Sequence, residues 1–223
     1  MKIDQRHHDR RPADRTETLI VYTLSFIFLG GLSIELMSHY EPRKLAAVFF
    51  VLWWMPLVLW HEWGHAVMAH VLGWRVERTV IGFGKVAFRG HLLGAPLEVR
   101  RVPIEGFVQI APLSTKGARW KHALIYLAGP GIELALFIVI VLALGWNNFF
   151  VIEDDYFKLA LQSLAYAALV GAIINLIPVG IITHEGETPN DGMGIIKSLL
   201  SNDKDYQQWV EQQRVVEQVH EID

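Results

Sequence analysis

Four long apolar stretches limit what this chain can fold into. Residues 19–37 are apolar apart from a few hydroxylated side chains and Glu35. Residues 45–60 form an apolar run that continues through a more polar segment to Leu72. Residues 123–146 carry Glu133 as their one ionisable group, and residues 157–178 hold Lys158 near their edge. A helix needs roughly 20 apolar residues to cross the hydrocarbon core of a bilayer, and each stretch reaches or nearly reaches that length. The pattern predicts an α-helical membrane protein with about four transmembrane helices. No small-residue cleavage site follows the first stretch, where Ser38-His39-Tyr40-Glu41-Pro42 stands instead, so it reads as a retained span.

Composition agrees. Of 223 residues, 52% are hydrophobic and 19% charged, which is lean in charge for a soluble domain. The eight tryptophans fit a chain with two membrane–water interfaces. A net charge of −3 gives no support for a nucleic-acid partner. With no cysteine, disulfides and thiolate metal sites are excluded, and any metal must be held by His, Asp or Glu.

Basic residues set a direction. Lys2, Arg6, Arg10, Arg11 and Arg15 precede the first span, and Arg75, Arg78, Lys85, Arg89, Arg100, Arg101, Lys116, Arg119 and Lys121 lie between the second and third. The other two connections hold only Arg43 and Lys44, or the acidic run Glu153-Asp154-Asp155. The positive-inside rule then puts both termini and the middle segment in the cytoplasm of an integral, multi-pass protein. The small size and lack of a eukaryotic targeting signal lean towards a bacterial or archaeal plasma membrane.

Between spans two and three, residues 76–80, 85–89, 97–102 and 107–110 are short β-prone runs separated by glycines and prolines. They predict a small β-hairpin layer over 74–112 on the cytoplasmic face. The expected organisation is a cytoplasmic tail over 1–17, one membrane domain over 18–200, and a polar tail over 201–223. Residues 206–219 of that tail have the pattern of an amphipathic helix.

The polar segment at the end of the second span is His61-Glu62-Trp63-Gly64-His65. Histidines four apart lie on one helix face, so both imidazoles can reach one Zn²⁺. Glu62 beside them can take a proton from a water that zinc has acidified. Ionisable groups in a spanning helix are costly and normally functional or paired. Two histidines do not complete a catalytic zinc site, which usually has three protein ligands. His70 is about 140° around the helix from His65 and reads as interfacial. Val71 occupies the position where the metzincin pattern places its third histidine. Glu77, Glu98 and Glu105 are available in the β region.

The HExxH helix, together with Asn175-Leu176-Ile177-Pro178 and the later Asp191-Gly192, resembles the site-2 protease family of intramembrane metalloproteases. Gly82-Phe83-Gly84, Pro103-Ile104-Glu105-Gly106-Phe107-Val108 and Ala128-Gly129-Pro130 are similar to further motifs of that family, in the family's order from about residue 51 to 195. The resemblance implies one zinc per chain held by His61, His65 and Asp191, with Glu62 activating water. It implies a membrane-spanning or membrane-proximal protein substrate, with Asn175 near the substrate or the developing oxyanion and Gly106 on a strand that meets the substrate. Three departures stand out. An insert over 180–190 separates Asn175 from Asp191 and contains His184, Glu185 and Glu187 as rival ligands. Glu133 replaces the asparagine of the family's A-G-P-x-x-N pattern, where it either tunes the site or pairs structurally. Glu105 replaces the first glycine of the strand motif. Two other functions compete with an active endopeptidase: an idle relative that binds or regulates a membrane partner, and a membrane zinc transporter or sensor.

Overall fold

The structure is a computed structural model that describes residues 15–38, 40–151, 154–183 and 186–220. In chain order it contains α1 (Arg15–Ser38), a 3-10 turn (Pro42–Lys44), α2 (Leu45–Val71), β1 (Trp74–Leu92) and β2 (Ala95–Pro112). Then follow α3 (Ala118–Leu144), α4 (Trp146–Phe149), α5 (Tyr156–Leu176), β3 (Gly180–Thr183), β4 (Gly186–Pro189), α6 (Asp191–Leu200) and α7 (Asp203–His220). The predicted apolar stretches all fall on helices. Three of them, α2 with its preceding turn, α3 and α5, are long and apolar enough to cross a membrane. The apolar part of α1 described here, Tyr22–Ser38, is shorter.

Helices α2, α3 and α5 pack mutually. Leu57 of α2 and Ala167 and Ala168 of α5 form one buried cluster, and Ile140 and Val141 of α3 form another with Ala165 and Phe149. Small residues permit the close approach, since dispersion contacts rather than exclusion of water drive helix association in lipid. At Gly64 of α2 an added Cβ would lie 2.7 Å from the Ala128 carbonyl oxygen and 3.1 Å from Ile132 Cγ2. Pro56 lies inside α2 and Pro130 inside α3 without ending either helix. Pro178, by contrast, follows the end of α5.

Helix α2 stops at Gly73, whose φ of +73° suits the left-handed position after a helix and whose N–H donates to the His70 carbonyl at 3.1 Å. The chain then enters a β layer that fills the expected residues, 74–112, with a different segmentation. The four short runs become two long antiparallel strands, joined by a turn at Leu93–Gly94. Most of the glycines that looked like turn signals sit inside the strands, and Gly82 and Gly84 fall at register shifts. Gly82 has φ +83° and so little room that a Cβ would clash with the Val102 carbonyl and Pro103. The bends let Thr79, Val80 and Ile81 find partners on both sides, Leu97, Glu98 and Val99 on one and Val108, Phe107 and Gly106 on the other.

Helix α7 is more than a polar tail. Tyr206 and Trp209 are buried with Trp74, Ala66, Ala69, Ala118 and Ile125, which ties the C-terminal helix to α2, β1 and α3. The Tyr206 hydroxyl meets His122 Nδ1 at 3.0 Å within this cluster. The insert over 180–190 also has structure the sequence did not predict: β3 and β4 form a small hairpin, with Gly180 opposite Pro189.

Because α2 and α3 touch through Gly64, Gly64→Ala should destabilise the protein by about 1–3 kcal/mol, the usual cost of overpacking. A lower thermal midpoint of the detergent-purified protein is the expected outcome, and an unchanged midpoint would show that the helices can part without cost.

Candidate metal centre and active site

Helix α2 carries His61, Glu62 and His65 on its buried last turns, and α6 brings Asp191 to them at its first residue. His61 Nε2 is 3.0 Å from His65 Nε2 and 2.9 Å from Asp191 Oδ2, while His65 Nε2 is 3.3 Å from Asp191 Oδ1. Among the described residues these three form the one group of ligand-competent side chains able to hold a metal ion. Burial by itself would raise the Asp191 carboxyl, but the His65 and His61 imidazoles outweigh it and hold it well below the usual carboxylate range.

The other face of each imidazole is engaged. His65 Nδ1 lies 2.6 Å from the Ile125 carbonyl oxygen, which can only accept, so Nδ1 carries the proton and Nε2 is left as the ligand atom. His61 Nδ1 faces Glu133 Oε2 at 3.2 Å, an ion-pair approach that lacks the alignment of a hydrogen bond. Metal-binding histidines normally hand their second ring nitrogen to a carbonyl or carboxylate in this way. Space is reserved on the opposite side. A Cβ on Gly129 of α3 would press against both Nε2 atoms, so only glycine leaves a cradle there. Two imidazole nitrogens and a carboxylate suit a borderline ion such as Zn²⁺.

Glu62 is 6% exposed and points towards β2, where a Cβ on Gly106 would lie 2.6 Å from Glu62 Cγ and 2.9 Å from Oε1. The whole constellation opens into a cavity of about 720 Å³. Half-buried Asn175 lines it from α5, and Trp54 and Leu57 line it from α2.

The sequence profile of peptidase family M50 matches residues 49–158. Over that stretch, nearly half of its length, the chain is similar to peptidase family M50. Zinc metalloprotease Rip1 of Mycobacterium tuberculosis is 31% identical over 116 residues, covering 45% of this chain and 29% of that protein. The same protein in Mycobacterium bovis matches equally, at 31% over 116 residues. A Chlamydia pneumoniae protein with a provisional zinc-metalloprotease name is 32% identical over 108 residues, covering 39% of this chain and 17% of its own length. The chain therefore spans less than a third of the length of these relatives.

Of the residues singled out in the sequence, His61, Glu62, His65, Gly106, Glu133, Asn175 and Asp191 all line the one cavity. His70 is exposed on α2, as expected for an interfacial position. Glu77 and Glu105 reach the cavity wall but stand outside the metal-competent group. His184 and Glu185 lie outside the described residues. Three contributors escaped the sequence reading. Gly129 was visible as the centre of Ala128-Gly129-Pro130, though not as a cradle. Gly171 of α5, where a Cβ would come within 3.0 Å of Glu133 Oε1, has no local signature. Asn190, the residue that caps α6, is of a type common at helix starts, but nothing local shows its bonds to the end of α5.

Glu133→Ala should weaken metal binding by about 10–100-fold, the typical effect of losing the partner of a ligating histidine. Competition with a chromogenic chelator measures this, and an affinity equal to wild type would leave the Glu133–His61 contact without a role.

Proposed function

We propose that this protein is a member of peptidase family M50, an intramembrane zinc endopeptidase that hydrolyses peptide bonds of membrane-spanning or membrane-proximal proteins. One observation carries the reading: His61, His65 and Asp191 converge in a cavity beside a buried glutamate and a strand. The names of the similar proteins support the metal and the reaction.

His61, His65 and Asp191 hold the ion. Zinc, when bound, acts as a Lewis acid that acidifies water and polarises a carbonyl. Glu62 takes the proton of the attacking water and passes it to the leaving amine, the task of a general base and acid within hydrogen-bond reach. Asn175 donates its amide to the developing oxyanion. A substrate helix hides its peptide groups in its own hydrogen bonds and must be extended before cleavage. The segment from Gly106 to Ile110 pairs with β1 and passes Glu62 of α2 at Gly106. An extended substrate laid along this segment would run beside Glu62.

The catalytic helix also sets the depth. His61 lies roughly 24 Å along α2 from Leu45 at 1.5 Å per residue, close to the far boundary of a hydrocarbon core about 30 Å thick. With α1 as a fourth span, both termini, the basic β layer and the active site face the cytoplasm of a bacterial or archaeal plasma membrane.

Glu62→Gln should abolish cleavage of a peptide or membrane substrate while keeping one zinc per chain. His61→Ala and Asp191→Ala should lose the metal, and His184→Ala should keep it. Metal analysis of the detergent-purified proteins beside a cleavage assay distinguishes the outcomes. Zinc retained by Asp191→Ala would move the third ligand elsewhere, and bound zinc without any hydrolysis would point to an idle relative.

A further inference from the structure

The insert over 180–190 raises a mechanical question. Asp191 must reach two histidines on α2 although a hairpin separates it from the end of α5. Asn190 answers it. Its Oδ1 accepts from the N–H of Met193 at 3.1 Å, capping α6, and from the N–H of Val179 at 3.0 Å. Its Nδ2 donates to the Ile177 carbonyl at 2.6 Å and towards the Ile174 carbonyl at 3.4 Å. The primary amide thus uses both acceptor positions and both donors. The Ile174 carbonyl is open because Pro178 stands where a helix would supply the next N–H. Main-chain bonds close the same joint: the Asn190 N–H donates to the Val179 carbonyl at 3.1 Å, and the Gly194 N–H donates to the Asn190 carbonyl at 2.7 Å. Gly192 lets the helix lie so close that a Cβ there would run into the Leu176 carbonyl.

We infer that Asn190 is a positioning residue for Asp191, a side-chain clamp that joins the broken end of α5 to the start of α6 and so fixes the carboxylate against His61 and His65. The hairpin of β3 and β4 leaves and returns through this joint, which is why its length does not displace the aspartate. An aspartate at position 190 would still cap the helix, since Asn and Asp are comparable N-caps, but would have no proton for the two carbonyls. A serine would keep the cap and lose the donors.

The inference rests on Asp191 being a zinc ligand, so the test includes a variant that examines that separately. Zinc affinity of the full-length, detergent-purified chain is measured by chelator competition for wild type, N190D, N190S and D191A. The visible bands of the Co²⁺-substituted proteins report ligand geometry, and circular dichroism reports helix content. N190D and N190S are expected to bind zinc about 10-fold or more weakly with shifted Co²⁺ bands and wild-type helix content. Wild-type affinity and bands in both variants overturn the inference. Loss of helix content in both overturns it too, because Asn190 would then serve folding rather than position. D191A binding zinc like wild type would sink the ligand assignment instead, an outcome separate from either.

Discussion

Everything at this site depends on how closely the backbone of α3 approaches the imidazoles of α2. His61 and His65 occupy a face that, in a packed helix pair, would ordinarily meet side chains. Here it meets Gly129, and neither Nε2 could remain where it is if that residue had a Cβ. The same approach brings the Ile125 carbonyl to His65 Nδ1 and Glu133 to His61 Nδ1. One helix crossing therefore supplies both the empty space in front of the nitrogens and the partners behind them. Gly64, packed on the Ala128 carbonyl, sets how near that crossing can be.

Asp191 arrives by a different logic. It lies 130 residues from His61, on a helix of ten residues outside the long apolar ones. Short helices are marginal without tertiary support. Support comes from the start of α6, where Asn190 and Gly192 meet the end of α5, and from Gly194, where a Cβ would meet Tyr126 Cε1 at 2.5 Å. The proline that ends α5 does two things at once. It stops a membrane helix at a defined residue, and it frees a carbonyl for the clamp.

How far the sequence disclosed this depends on the range of each interaction. His61, Glu62 and His65 were legible because their geometry is that of a single helix turn, fixed by spacing alone. The long helices were legible because length and apolarity suffice. Asp191 could be singled out only through resemblance, since nothing local ties it to α2. The β layer lay where the sequence placed it, but its segmentation differed: Gly82 read as a turn residue, yet it sits inside a strand, with the Val102 carbonyl where its side chain would be. Asn190 was not singled out in the sequence. Its role needs Pro178, Ile174 and Met193 together, and no periodicity connects them. Glycines that make room leave no trace of what they make room for.

The charge inventory bears on why Glu133 is tolerated. Asp191, Glu62 and Glu133 are three carboxyl groups within one cavity at a helix crossing, and Glu133 is only 4% exposed. Ionised carboxylates in an apolar interior are expensive unless paired. The imidazoles offset part of this if protonated, but a protonated Nε2 cannot bind a metal. A divalent cation resolves the conflict: it lets both imidazoles stay neutral at Nε2 while opposing the carboxylates with two positive charges. On the zinc reading, the third carboxylate belongs to a site built around a bound cation, since the proton of a neutral, Nε2-bound His61 then stays on the Nδ1 that faces Glu133. Metal loading and the packing of α2, α3 and α6 would accordingly be coupled, because each carboxylate sits on a different element and all three line the same cavity.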